Sequence, residues 1–169
     1  DIAADKKEVK GLWQARRSVS AALFRVKPDK INDDVVVPRS RITELILGLR
    51  EIARKRGLLI ASFGHAGDGN IHANIMYDGK DPAEARNAVE AVAEVFELTL
   101  RLNGTISGEH GIGVTKAPYL GMELSPEAVE IMKGIKRTFD PNGILNPGKI
   151  FPGRKAGRAA EEETPAGVF

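Results

Sequence analysis

Between residues 34 and 107, the apolar pattern of the sequence predicts six elements in the order strand, helix, strand, strand, helix, strand. Short β-branched or apolar runs predict the strands, and apolar residues three and four positions apart predict the helices. The predicted ranges are, in order, 34–37, 40–57, 58–64, 70–77, 81–103 and 105–107. This βαββαβ order is that of ferredoxin-like folds, an α+β class in which both helices cover one face of an antiparallel sheet.

Two further predicted helices flank this unit, at residues 6–24 and 125–140. The sheet face away from the central helices is left for solvent, a ligand or another domain. We expect its polar residues to be exposed, or covered by a partner molecule. Residues 153–169 are rich in charged and small residues and are expected to form a mobile tail, which leaves residues 1–152 as one domain.

The composition excludes several classes of protein. With 25 basic and 23 acidic residues, the net charge of +2 gives no electrostatic reason to bind nucleic acid. The absence of cysteine excludes disulfides, thiolate nucleophiles and zinc–thiolate sites. No stretch approaches the roughly 20 apolar residues of a membrane span, and the first residues lack a signal peptide and an initiator Met. We expect a fragment of a cytoplasmic protein, with peripheral attachment to the inner membrane and homo-oligomer formation left open.

The first of two glycine-framed motifs, GHAGDGNIH, joins the second and third predicted strands. A turn centred on its Gly-Asp-Gly sequence pairs His65 with Asn70, and side chains then alternate between the two faces of the sheet. The face opposite the helices carries four polar residues, His65, Asn70, His72 and Asn74. Two neutral imidazoles on one face suit Zn, Mn, Fe or Co. The alternative is a polar strand face that simply contacts water.

The second motif, GEHGIG, spans Gly108 to Gly113. Its glycines allow the backbone to turn sharply, so that Glu109 and His110 can both point into one site. Glu109 offers the oxygen ligand of a third metal contact, and all three histidines of the chain lie in the two motifs. The alternatives are a helix N-cap or flexible turn, and a phosphate-binding loop, although no Lys has the spacing that a P-loop requires.

Three segments, GHAGDGNIHANI, NGTISGEHGIG and DPNGILNPGKIF, closely resemble the C-terminal region of FAD-linked oxidases with a vanillyl-alcohol-oxidase-type fold. The similarity is strongest to the branch that contains D-lactate dehydrogenase, the glycolate oxidase subunit and D-2-hydroxyglutarate dehydrogenase, and it runs from about Leu12 to Pro152. The resemblance implies that residues 1–152 form the cap, or substrate, domain. It also implies that FAD is held mainly by an N-terminal flavin-binding domain that is absent from this chain.

The resemblance further implies a role for each site residue. His65, His72 and Glu109 would bind a divalent metal, zinc or manganese, and His110 would be the general base. Substrate contacts fall on four residues, Arg16, Ser20, Lys30 and Asn74. The stretch from Asn146 to Ile150 would fold back toward the flavin domain, with Asn146 and Lys149 on the cofactor side. Without the resemblance, Arg16 is typical of a solvated helix surface, and the latter stretch is typical of a simple turn.

The expected reaction is the oxidation of a small 2-hydroxy acid to the 2-oxo acid, with metal-assisted proton abstraction and hydride transfer to FAD. An electron-acceptor protein or a quinone would then reoxidise the flavin. Two other classes remain open from the residues alone. A His-His-Glu site beside a base also suits a metal-dependent hydrolase, and the chain could be a non-catalytic fragment or docking subunit.

Overall fold

The structure is a computed structural model that describes residues 4–151. Within them lie five α-helices and three β-strands, a mixed α+β architecture. The elements are, in order, α1 (Lys6–Leu23), β1 (Asp29–Val36), α2 (Ile42–Arg56), β2 (Leu59–His65), β3 (Asn70–Tyr77), α3 (Pro82–Arg101), α4 (Leu120–Glu123) and α5 (Pro126–Phe139). The predicted tail at residues 153–169 lies outside the described residues. None of the helices described is long and apolar enough to cross a membrane.

The three strands form one antiparallel sheet in the order β1-β3-β2. The predicted fourth strand, 105–107, is reduced to a single antiparallel bridge between Thr105 and Val36, on the outer side of β1. The pairing stops there because other groups bind the next backbone atoms. The Ile106 N–H donates to Glu123 Oε2 at 3.0 Å, and the Ile106 carbonyl accepts from Lys116 Nζ at 2.8 Å. The position of the bridge still agrees with the ferredoxin-like order.

β1 begins at Asp29, five residues before the predicted start, and pairs with β3 along its whole length. Its first residues, Asp29 to Asp33, are mostly polar and carry no β-branched pattern apart from Ile31, so the sequence does not mark them as strand. They form one because β3 lies between two partners and offers a complete row of hydrogen-bonding groups to each.

One face of the sheet, which we call the helix face, packs against α2 and α3, as predicted. Its core side chains are Ile31, Val35, Ile71, Ala73 and Ile75. α2 contributes Leu45, Leu49 and Ile52, and α3 contributes Ala88, Ala91, Val92, Val95, Phe96 and Leu98. Asp33 lies on the same face, in register with Ala73, and is buried. Burial raises its pKa to about 6.

The opposite face, which we call the polar face, carries Asp34, His65, Asn70, His72 and Asn74. The expectation that its polar residues are exposed is wrong for β3, because Asn70, His72 and Asn74 are only 5%, 6% and 0% exposed. They lie on the central strand, and the chain after the Thr105 bridge passes over Asn70 and His72. A Cβ added at Gly108 would stand 2.7 Å from the Asn70 side chain.

α1 lies along the other part of the polar face. The Arg16 guanidinium is 4.6 Å from the centre of the Phe63 ring, and Lys30 Nζ donates to Ser20 Oγ at 2.7 Å. Phe63 on β2 and Lys30 on β1 both lie on the polar face. α1 itself buries no residue within the part of the chain described.

Candidate metal centre

The β2–β3 hairpin brings two histidines together. The register is the predicted one, with His65 opposite Asn70 and Phe63 opposite His72, so both imidazoles lie on the polar face. The turn closes because the Gly69 N–H donates to the His65 carbonyl at 3.0 Å. Gly69 has φ +82°, a left-handed conformation that suits glycine. The two imidazole ring centres are 5.5 Å apart.

Glu109 completes a cluster with these histidines, and the predicted convergence of the three side chains is confirmed. Glu109 Oε1 lies 3.2 Å from His72 Nε2 and 3.8 Å from His65 Nε2. One ligand atom from each residue lies within 4.8 Å of the others. Ligand atoms about 2.1 Å from one tetrahedral ion are about 3.4 Å from each other. The donor atoms therefore fit one divalent ion with little movement.

The chemistry of the donors also fits a metal. Two imidazoles and a carboxylate are ligands that zinc and manganese accept. Burial lowers the pKa of His72, against the opposing effect of Glu109, and so favours the neutral imidazole, the form that binds a metal. Its side chain is 8% exposed, whereas those of His65 and Glu109 are about half exposed. The cluster is therefore open on one side, where a substrate atom could approach.

The carboxylate of Asp34 holds the backbone of the second motif. Asp34 Oδ2 accepts hydrogen bonds from three consecutive N–H groups, those of Gly108 at 2.9 Å, Glu109, and His110 at 3.0 Å. Asp34 is fully buried on β1, directly opposite His72 in the sheet register. The loop is thus attached to the strand that neighbours the two histidines.

Lys116 neutralises Asp34. Its Nζ donates to Asp34 Oδ1 at 2.6 Å and to the backbone carbonyls of Asp34 and Ile106, each at 2.8 Å. Burial alone raises the pKa of Asp34, but the hydrogen bonds from Lys116 and from the loop N–H groups outweigh it and lower that pKa. Neither Asp34 nor Lys116 was predicted from the sequence. A weak signal was present, since an acid inside an apolar strand calls for a partner.

His110, the predicted base, lies beside the cluster. Its Nδ1 is 3.4 Å from Asp34 Oδ1, and its Nε2 is 3.9 Å from Glu109 Oε1. Its ring stacks on that of His72, with centres 5.3 Å apart. One imidazole nitrogen therefore faces a buried carboxylate and the other faces the proposed ligands.

The four predicted substrate residues fall into two groups. Arg16, Ser20 and Lys30 gather where α1 meets the polar face, and within residues 4–151 neither Arg16 nor Lys30 forms an ion pair with a carboxylate. Asn74 lies on β3, on the polar face of the hairpin, and is fully buried. Its Nδ2 donates to the Ala61 carbonyl at 3.1 Å, while its Oδ1 has no partner among the residues described.

The segment that contains Asn146 and Lys149 lies next to the second motif. The Ile150 N–H donates to the Gly113 carbonyl at 2.7 Å, and the Lys149 N–H donates to the Asn146 carbonyl at 3.2 Å. Both Asn146 and Lys149 are exposed. Their role toward a cofactor stays a prediction.

Comparison with known proteins identifies the family of the chain. The family model for FAD linked oxidases, C-terminal domain, matches residues 1–150. The chain is 46% identical to the glycolate oxidase subunit GlcD of Bacillus subtilis, over 88% of this chain and 32% of that protein. It is 38% identical to a mitochondrial D-lactate dehydrogenase [cytochrome] of Arabidopsis thaliana, over 89% of this chain and 27% of that protein. It is 37% identical to a D-2-hydroxyglutarate dehydrogenase of Stutzerimonas stutzeri, over 89% and 33% respectively.

The chain spans about a third of the length of these curated relatives. The match covers both glycine-framed motifs, α1 and the whole sheet. Because that family model matches almost the whole chain, the chain belongs to the family of FAD linked oxidases, as their C-terminal domain.

Proposed function

We propose that this chain is the metal- and substrate-binding part of an FAD-linked dehydrogenase or oxidase that converts a 2-hydroxy acid to a 2-oxo acid. The convergence of His65, His72 and Glu109 beside His110 is the observation that carries the proposal. The names of the relatives support the substrate class, because glycolate, D-lactate and D-2-hydroxyglutarate all carry a hydroxyl next to a carboxylate.

Each end of such a substrate would meet different residues. Arg16 and Lys30 are cations without a carboxylate partner in the described part of the chain, and a guanidinium can bind both oxygens of a carboxylate. Arg16 stacks on Phe63, whose ring centre is 5.7 Å from that of His72. A small acid held by Arg16 would therefore place its hydroxyl carbon toward the histidine cluster.

The metal would be held by His65, His72 and Glu109, and when bound it supplies a Lewis acid for the substrate hydroxyl. His110 takes the hydroxyl proton, most directly at Nε2, because Nδ1 faces Asp34. A flavin held by the rest of the protein supplies the hydride acceptor. The residues of this chain orient the acid and remove its proton.

Family membership favours this reaction over the two other classes. A hydrolase would use the same three ligands to activate water, but the family is one of oxidases and the relatives are named as oxidases or dehydrogenases. If the chain only docked to a partner protein, the convergence of the three ligands beside His110 would have no function. An electron-acceptor protein or a quinone downstream of the flavin completes the proposal.

The test uses the flavoprotein that carries this chain together with its flavin-binding part. Dye reduction with glycolate, D-lactate or D-2-hydroxyglutarate is measured before and after metal removal by a chelator, and again after addition of zinc or manganese. We expect activity with at least one acid, its loss on chelation, and its return with metal.

His72→Ala should abolish both metal content and dye reduction, whereas Glu97→Gln, an exposed carboxylate change on α3, should alter neither. Hydroxy-acid oxidation that persists in the metal-free protein and in His72→Ala would contradict the proposed metal role. Hydrolysis of an ester or amide without any dye reduction would favour the hydrolase.

A further inference from the structure

The loop that carries Glu109 and His110 contains no helix or strand from residue 107 to residue 115. Gly111 and Gly113 in this loop adopt positive φ, a left-handed conformation that suits glycine. A loop of this kind is not expected to hold two side chains in register by itself. The precision of the Glu109 and His110 positions must come from contacts outside the loop.

Those contacts converge on one ion pair. The carboxylate of Asp34 accepts the N–H groups of residues 108, 109 and 110, so the backbone of both functional residues is tied to β1. Lys116 lies just beyond the end of the loop. Its side chain donates to the same carboxylate and to the Ile106 carbonyl, just before the start of the loop. The loop is therefore fastened at its start, in its middle and at its end.

The burial and the hydrogen bonds of the Asp34–Lys116 pair also favour a rigid arrangement. Asp34 is 0% exposed and Lys116 is 3% exposed, and all three Lys116 hydrogen bonds go to protein acceptors. Buried, fully bonded polar networks hold a single geometry, because any displacement leaves charge without a partner.

We propose that Asp34 and Lys116 are positioning residues, which hold Glu109 and His110 in their binding geometry before any metal arrives. This inference rests on the proposed metal role of Glu109. Asp34 would act on the reaction through the backbone of the loop and through its Oδ1 atom, which lies 3.4 Å from His110 Nδ1.

The first test needs no substitution. Amide hydrogen exchange is measured by NMR on the metal-free 169-residue chain. The N–H groups of Gly108, Glu109 and His110 should exchange slowly, because they are bonded to a buried carboxylate. Exchange as fast as that of unbonded loop amides, with protection only after metal is added, would overturn the proposal.

The second test compares two buried acids that hold loops. Like Asp34, Asp140 is buried and pairs with a lysine, Lys136. It accepts two backbone N–H groups, those of Ile144 and Leu145, where Asp34 accepts three. Its loop does not carry the proposed ligands. Asp140→Asn is therefore a matched control for Asp34→Asn.

Co²⁺ is titrated into the wild-type chain and both variants, with its visible absorption as the readout of ligand geometry. Loss of an outer partner of a metal ligand typically weakens metal binding by about 10- to 100-fold. We expect a weakening of that order and an altered Co²⁺ spectrum for Asp34→Asn, and less than about a twofold change for Asp140→Asn.

An unchanged Co²⁺ affinity and spectrum in Asp34→Asn would refute the positioning role, as would an equal loss in both variants. If Asp34→Asn does not fold, the exchange experiment on the wild-type chain decides. A wild-type chain with protected loop amides that binds no Co²⁺ would count against the proposed metal site while supporting the positioning pair.

Discussion

The two faces of the sheet are built from the same three strands and are similarly buried along the central strand β3, yet they differ in how their side chains are bonded. On the helix face, Ile75 and its neighbours touch other apolar side chains. On the polar face, Asn70, His72 and Asn74 are as buried, but Asn70 Oδ1, His72 Nδ1 and Asn74 Oδ1 have no hydrogen-bond partner in the described part of the chain.

Burial alone therefore does not separate a core from a site in this molecule. An unpartnered buried polar atom costs about 1–3 kcal/mol, so folding by itself disfavours the polar face. The helix face supplies stability, and the polar face keeps bonding capacity that a ligand can use. This contrast can be tested by changes on each face.

The largest expected effect is the loss of turnover on substitution of His110, which lies beside the histidine cluster of the polar face. In the intact flavoprotein, His110→Asn should lower kcat by about 100- to 10,000-fold, because loss of a general base has that effect. Metal content, measured per chain by elemental analysis, should change little. His72→Asn should lower metal content and turnover together. Near-normal turnover in His110→Asn would mean that the two motifs have been given the wrong roles.

Truncation on the helix face should affect stability instead. Ile75→Ala should lower the free energy of unfolding by about 2–5 kcal/mol, because it leaves a cavity in a fully buried position. His65→Ala, whose side chain is 47% exposed, should change it by less than about 0.5 kcal/mol in metal-free buffer. Urea unfolding of the 169-residue chain measures both. Equal decreases in the free energy of unfolding for the two variants would contradict the proposed difference between the two faces.

Metal should stabilise the chain through the polar face only. At a free Zn²⁺ or Mn²⁺ concentration 100 times Kd, binding to the folded state adds about 2.7 kcal/mol to the free energy of unfolding. Ile75→Ala should show the same increment, provided it still folds, and His72→Ala should show none. The measurement is urea unfolding with and without metal, and a similar gain in His72→Ala would point to binding elsewhere.

The smallest effect concerns Asp33, an acid on the helix face. Its folded pKa of about 6 exceeds that of an unfolded Asp, so the folded state holds the proton more tightly. The resulting stabilisation is present below pH 4 and is lost as the pH rises through 6. Asp33→Asn should therefore be more stable than the wild type at pH 7 by about 1–2 kcal/mol, with the difference shrinking at pH 4. A difference that is constant with pH would contradict the raised pKa.

Features that depend on residues close together in the sequence were predicted well. The register of the β2–β3 hairpin followed from a short turn and a period of two, which are properties of adjacent residues. The convergence of His65, His72 and Glu109 was predicted because two glycine-framed motifs held every histidine. The two central helices were predicted from their apolar spacing.

Contacts between residues far apart in the sequence were not predictable in the same way. Lys116 bonds Asp34 across 82 residues, and no local pattern connects the two. The loss of the fourth strand has the same origin, because Lys116 and Glu123 bind the backbone groups that would have continued it. The burial of Asn70 and His72 depends on where the loop passes, which the sequence alone does not specify.

The missing fourth strand has a consequence for aggregation. Beyond its bridge at Val36, the outer edge of β1 has no strand partner within residues 4–151, and such an edge invites pairing with another chain. Two partly exposed charged residues, Asp29 and Lys30, begin this edge. Charge along an edge strand opposes the addition of a foreign strand. Substitutions that neutralise this stretch therefore weaken the protection of the sheet against self-association, whatever they do to the site.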